Sequence, residues 1–153
     1  MASRGFEFDS MLDRSGATPR VFAFVLGVAA DHLIGDLMAV QSDGFIDATT
    51  ASIGEVTCVM AEQIDTADIT AETTTGKAWV LTRNQVWRCS TDATTAATAL
   101  VGFTKTWDIA DKNTIDADDI TNGSMIVLER TQTDDEGNIL GLVVFDDCTF
   151  NNA

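Results

Sequence analysis

His32 is the only histidine in this sequence. Any Ser- or Cys-based triad that takes an imidazole as its base must therefore use it. It stands between Asp31 and Leu33, no GxSxG elbow occurs in the chain, and it reads as a surface or strand-end histidine. Cys58, Cys89 and Cys148 are odd in number, far apart and form no CxxC. One imidazole and three scattered thiols make no zinc site. The cysteines read as reduced thiols of a protein made in a cytosol, the alternative being one bridge and one spare thiol. Aspartic-protease chemistry needs Asp-Thr/Ser-Gly, which is absent. Asp116-Ala117-Asp118-Asp119, closed by Asn122-Gly123, offers oxygens to a hard cation such as Ca²⁺. It has no Gly at the sixth loop position and no Glu at the twelfth, so it reads as a solvated turn. Asp134-Asp135-Glu136 reads as the tip of a hairpin. No catalytic residue, cofactor or metal is expected, and the protein reads as a non-enzyme.

The elements that carry these residues are β-strands. Asp outnumbers Glu 18 to 6, Thr occurs 21 times and Lys three times. Asp competes with the helix backbone through its short side chain, and Thr, stiff at χ1, suits a pleated surface. The 153 residues give room for one domain, and an apolar share of 45 % is enough for a core. Strands are expected over residues 20–29, 37–41, 44–48, 55–60, 77–82, 85–90 and 99–107, with a polar loop over 61–76. Ser42-Asp43-Gly44 punctuates the second and third of these, and Arg83-Asn84 reads as a two-residue hairpin turn between 77–82 and 85–90. Trp79 and Trp87 would then stack across that hairpin, and Trp107 would sit in the next strand. A sugar- or base-stacking platform and an inter-subunit contact are the alternative uses of these three rings. The clearest hairpin joins residues 124–132 to 139–145 across a turn-rich connection. About nine strands without βαβ alternation, and without internal repeats, define a mostly β domain: a small antiparallel barrel or sandwich.

Charge divides the chain. Residues 1–30 hold Arg4, Arg14 and Arg20 against Glu7, Asp9 and Asp13, and balance to zero. The other 123 residues carry 21 acids and 6 bases, the whole net charge of −15. Such a surface repels phosphate backbones and anionic lipid, so neither nucleic acid nor membrane is an expected partner. Residues 21–30 are apolar enough for a signal-peptide core, but the 20 residues before them are not basic, and ten apolar residues fall short of the roughly 20 a membrane span needs. They read instead as a buried first strand. Residues 1–19 show no sustained period and read as an extended arm with at most one helical turn. The body is expected over 20–153, with 108–153 forming its C-terminal part. Phe6, Phe8, Met11, Leu12, Arg14 and Arg20 are the candidate partner-binding residues, because an uncharged, Phe-bearing arm can bury apolar area or add a strand to a partner.

Three segments carry a resemblance. Ile34-Gly35-Asp36-Leu37-Met38-Ala39-Val40 is similar to the early Gly-Asp strand of small decoration (cement) proteins from tailed-phage capsids. Ile53-Gly54-Glu55-Val56-Thr57-Cys58-Val59-Met60-Ala61 resembles the next strand of that group, and Thr75-Gly76-Lys77-Ala78-Trp79-Val80-Leu81 with Val86-Trp87 resembles its Gly-led strand and closing hairpin. They cover about a third of the chain, with Lys77 where an acid is common and Gln85 where a Gly is common. The resemblance implies a β-tulip-like fold and a homotrimer. It also implies a virion protein made in the host cytoplasm, which sits on the capsid exterior, binds the major capsid protein and stabilises the shell without catalysis. A fibre, spike or tail component is the alternative. A more distant one rests on Gly44-Phe45-Ile46-Asp47 with Gly54-Glu55-Val56, which resembles the uridine-reading motif of trimeric dUTP pyrophosphatases. That motif uses a Tyr, and this chain has none.

Overall fold

The structure is a computed structural model and describes residues 5–50, 55–92, 106–116, 125–133 and 139–150. Among these the chain forms eleven strands and no α-helix. The first half supplies β1 (Glu7–Met11), β2 (Val21–Val25), β3 (Leu37–Val40), β4 (Ile46–Ala48), β5 (Cys58–Met60) and β6 (Thr75–Val80). The second supplies β7 (Gln85–Ser90), β8 (Thr106–Asp111), β9 (Thr114–Asp116), β10 (Met125–Thr133) and β11 (Ile139–Phe145). The protein is a small antiparallel β-sandwich. One sheet has six strands in the order β1-β7-β11-β10-β8-β9, the other five in the order β2-β6-β5-β3-β4.

Both sheets curl. Leu26, just beyond β2, bridges Ile46 of β4, and Gly27 N–H donates to Ile46 O at 2.9 Å, so the five-stranded sheet nearly closes on itself. Thr91 after β7 bridges Ile115 of β9 in the same manner. Curling explains why β3 and β5 are buried on both faces. Leu37 and Val59 point into the core between the sheets, with Trp87, Ile109, Ile115, Val143 and Phe145. Met38, Cys58 and Met60 fill a second core inside the curl with Leu26, Ile46 and Ala78.

Trp87 is fully buried at the centre of the inter-sheet core. Its ring meets Trp79 of the opposite sheet at 6.2 Å between centroids and the edge of Phe8 at 5.7 Å. A buried indole N–H needs an acceptor. Gln85 Oε1 supplies it at 3.2 Å, while Gln85 Nε2 donates to Val80 O at 2.9 Å.

Several expectations change. Residues 5–19 are not a free arm. From Gly5 the chain is built into the body: Phe6 is 1 % exposed and packs on Phe145 at 5.3 Å, and β1 pairs with β7. Gly5 makes this possible. It lies at φ +72° with its Cα against Gly35, where a Cβ would come within 2.7 Å of the Gly35 carbonyl oxygen. Residues 77–90 do not form a hairpin. β6 pairs with β2 and β5, β7 with β1 and β11, and Arg83-Asn84 carries the chain from one sheet to the other. Trp79 and Trp87 therefore meet across the sandwich, not across a strand pair. β2 is an edge strand with exposed residues, not a buried one. The acidic stretch after residue 108 opens with a hairpin, β8–β9, turned at Lys112-Asn113. The turn at Ser42-Asp43-Gly44 and the β10–β11 hairpin stand as read, with Gly44 at φ +88° and Met125 opposite Phe145. Residues 99–105 of the seventh expected strand, the Trp107 side chain, Asp118, Asp119 and residues 134–136 lie outside the described parts.

Replacing Gln85 with Leu strands the Trp87 N–H in the core. Urea unfolding followed by tryptophan fluorescence is expected to show a loss of about 1–3 kcal/mol, with the β circular-dichroism signal retained.

Candidate functional site

The residues after β1 cannot continue along β7, because Asn84 turns that chain away toward the other sheet. Leu12 N–H donates to Asn84 O at 2.8 Å, and Asn84 Nδ2 donates to Asp13 Oδ2 at 3.0 Å. The chain then reverses: Arg14 takes φ +57°, its N–H donating to Met11 O at 3.1 Å, and Gly16 takes φ +73°. Ser15 N–H donates to Asp13 Oδ1 at 2.9 Å. That bond, with Asn84, holds the Asp13 carboxyl below its ordinary range.

This loop and β1 enclose an open groove of about 550 Å³. Phe8, Met11 and Val86 form its apolar wall, Leu12 and Arg14 its exposed rim, and residues 16–18 its far side. Four of the six candidate binding residues, Phe8, Met11, Leu12 and Arg14, are thus brought together. The other two are not. Phe6 belongs to the core, and no partner can reach it while the fold is intact. Arg20 is exposed outside the groove, its carbonyl accepting from Val80 N–H at 2.9 Å. The groove offers an apolar wall, one guanidinium and the Asp9 carboxylate: chemistry for holding a peptide segment through an apolar side chain, with an acidic side chain placed at Arg14 and away from Asp9. Asn84, which fixes the loop, was missed by sequence reasoning. Its bond to Asp13 spans 71 positions and leaves no local signal.

The residues with nucleophilic or general-base potential lie elsewhere. Cys58, Cys89 and Cys148 are free and buried. Burial pushes the Cys58 and Cys148 thiols up to about 12, and Cys89 higher than its ordinary value. His32 is not at the surface: it is 1 % exposed, and neither ring nitrogen has a hydrogen-bond partner. Its segment is clamped between the sheets. Lys112, in the β8–β9 turn, reaches Asp36 Oδ2 at 2.9 Å and donates to the Asp31 carbonyl at 2.8 Å. Asp31 Oδ1 accepts from both Thr66 Oγ1 and Thr66 N–H, which holds its carboxyl below the ordinary range. Asp47, from the segment similar to the uridine motif, lies against Gly27 with a buried Oδ1 that has no hydrogen-bond partner. Among the described residues no His/Cys/Asp/Glu group has the arrangement of a metal site, and no helix is long and apolar enough to cross a membrane.

Comparison of the chain with protein-family models, with curated proteins and with solved structures finds no match in any of the three.

The buried imidazole has a measurable consequence. Desolvation first, then Lys112, lower the His32 pKa below 6.5, against the opposing pull of Asp36, Asp47 and Asp31. The unfolded chain therefore takes up the proton first. Stability is complete above pH 6.5 and falls as the pH drops below it toward the folded-state value. The lowered carboxylates Asp13 and Asp31 begin to cost stability only near and below their unfolded value of 3.8, so the two effects separate. Urea midpoints at pH 7.5 and 5.5 are expected to differ for the native sequence and to converge for His32→Leu.

Proposed function

We propose that this protein is an accessory protein of a tailed-phage capsid, which attaches to the outer face of the major capsid protein lattice and strengthens the shell by binding alone. The observation that carries the reading is the groove between β1 and residues 12–18. It gathers apolar side chains of the neutral leader with the Arg14 guanidinium and the Asp9 carboxylate in one exposed place, on a chain whose net charge is −15. A coat-protein segment with an apolar and an acidic side chain fits that lining. The acidic remainder suits a protein on the outside of a shell, held away from packaged DNA by like charge. Of the three segments that resemble decoration proteins, the parts in β3, β5 and β6 give further support as consecutive neighbours in one sheet, whereas Val86-Trp87 belongs to β7 of the other sheet and closes no hairpin. The burial of the three thiols and the imidazole favours a binding role over nucleophilic catalysis.

Co-sedimentation with capsids of the virus whose genome encodes the chain tests this reading. The protein is expected to pellet with them. Leu12→Asp and Arg14→Glu, both on the exposed rim, are each expected to weaken attachment on the order of tenfold, about 1.4 kcal/mol, with the unfolding midpoint unchanged. Failure to pellet with either unexpanded or expanded shells would overturn the proposal, and pelleting with tails instead would favour a fibre or tail component.

A further inference from the structure

Between β2 and β3 the chain crosses residues 27–36, and neither core takes a side chain from them. Both ends of the crossing are pinned through the backbone. Gly27 N–H donates to Ile46 O and Gly35 N–H to Met60 O, each at 2.9 Å. Leu33 and Asp36 close a turn at the second end, Leu33 N–H donating to Asp36 Oδ2 at 2.9 Å and Asp36 N–H to Leu33 O at 3.1 Å. Between the pins lie Val28, Ala29, Ala30, Asp31 and His32. Val28 is 50 % exposed, Ala29 and Asp31 are exposed, Ala30 is half-buried, and His32 alone is buried.

The segment is mostly apolar, yet the side chain it puts inside is its imidazole. An aliphatic anchor would pack there without polar cost, whereas a buried ring with two unpartnered nitrogens carries that cost even when neutral. A second proton makes both nitrogens donors, and no group around the ring accepts from either. On its own segment the Asp31 carboxylate is held by Thr66, and Asp36 Oδ2 by Lys112 and Leu33 N–H. The β8–β9 turn presents the like charge of Lys112, while Asp111 Oδ1 accepts from Asn113 N–H. In the chain around Ile64, Glu62 Oε1 accepts from Lys77 N–H and Asp65 Oδ1 from Gln63 Nε2. β4 supplies Asp47; its Oδ1 and Asp36 Oδ1 are unpartnered, and neither bonds the ring.

We infer that His32 is an acid-sensitive plug: when it takes up a proton its ring leaves the interior, and residues 28–32 lift away from the chain around Ile64 while Gly27 and the Leu33–Asp36 turn stay in place. What lets go is polar. His32 and Ile64 exchange both backbone bonds at 2.9 Å, Thr66 N–H and Oγ1 donate to Asp31 Oδ1, and Lys112 Nζ donates to the Asp31 carbonyl. Lys112 keeps Asp36, and both cores stay packed because neither uses the segment. The lowered pKa of His32 agrees in sign, since water accommodates the imidazolium better than the interior does. The opening is a local step, separate from the global loss of stability described above.

Amide-proton exchange by NMR, with rates corrected for their intrinsic pH dependence, tests the inference. Between pH 7.5 and 5.5 the protection of the His32, Ile64 and Thr66 amides is expected to fall by up to about tenfold, the most that one proton supplies over that interval to a group titrating at 6.5 in the open state. The Gly27, Gly35 and Leu81 amides are expected to keep theirs. In His32→Leu the three amides are expected to be equally protected at both pH values, and His32→Phe makes the same comparison if the leucine variant does not fold. Unchanged protection in the native chain, an equal fall at Leu81, or the same pH dependence in the variants would overturn the inference. So would a histidine signal titrating above 6.5, which places the imidazolium in an ion pair inside the closed segment. None of these outcomes depends on whether the protein binds a capsid.

Discussion

The contact on which the molecule depends is the meeting of Phe8, Trp79 and Trp87 between the two sheets. Trp87 belongs to the six-stranded sheet and Trp79 to the five-stranded one, and Phe8 comes from the first strand of the chain. A single cluster therefore ties the beginning of the sequence to both layers. Aromatic side chains of this size dominate the energetics of small cores, and this one is satisfied as well as packed, because Gln85 accepts from the buried indole. Phe6, just before β1, packs on Phe145 in the same core.

The cluster decides what is left for function. Once Phe6 and the strand after it are part of the body, the stickiness of the uncharged leader is confined to what the body cannot absorb, above all the Leu12–Arg14 rim. The groove presents side chains and one guanidinium, which suit a segment of another protein. The acidic surface elsewhere disfavours non-specific contact with anionic partners.

Much of the architecture was legible because strand formation depends on local chemistry. The Asp- and Thr-rich composition, the Ser42-Asp43-Gly44 turn and the β10–β11 hairpin follow from residue preferences within a few positions. What was not legible depends on partners distant in sequence. Arg83-Asn84 has the composition of a hairpin turn, yet the strands on either side pair with β2, β5, β1 and β11, and a tight turn and a sheet-to-sheet crossing use the same residue types. The leader looked free because its apolar residues have no period; their burial is set by Gly35, Val86 and Phe145, up to 139 positions away. His32 lacked any signal of burial for the same reason, since Ile64 and Lys112 enclose its segment. Of the six candidate binding residues, the four in the groove were grouped by an Asn84 contact that no spacing rule reveals.

Removing residues 1–11 and comparing urea unfolding and tryptophan emission with the full chain tests the central claim most directly. If Phe6 and Phe8 are structural members of the core, the shortened chain loses at least the roughly 3–5 kcal/mol that deletion of one buried Phe costs, and its emission shifts to the red as Trp87 meets water. An unchanged midpoint with unchanged emission would contradict the account, and would return the leader to the status of a detachable arm.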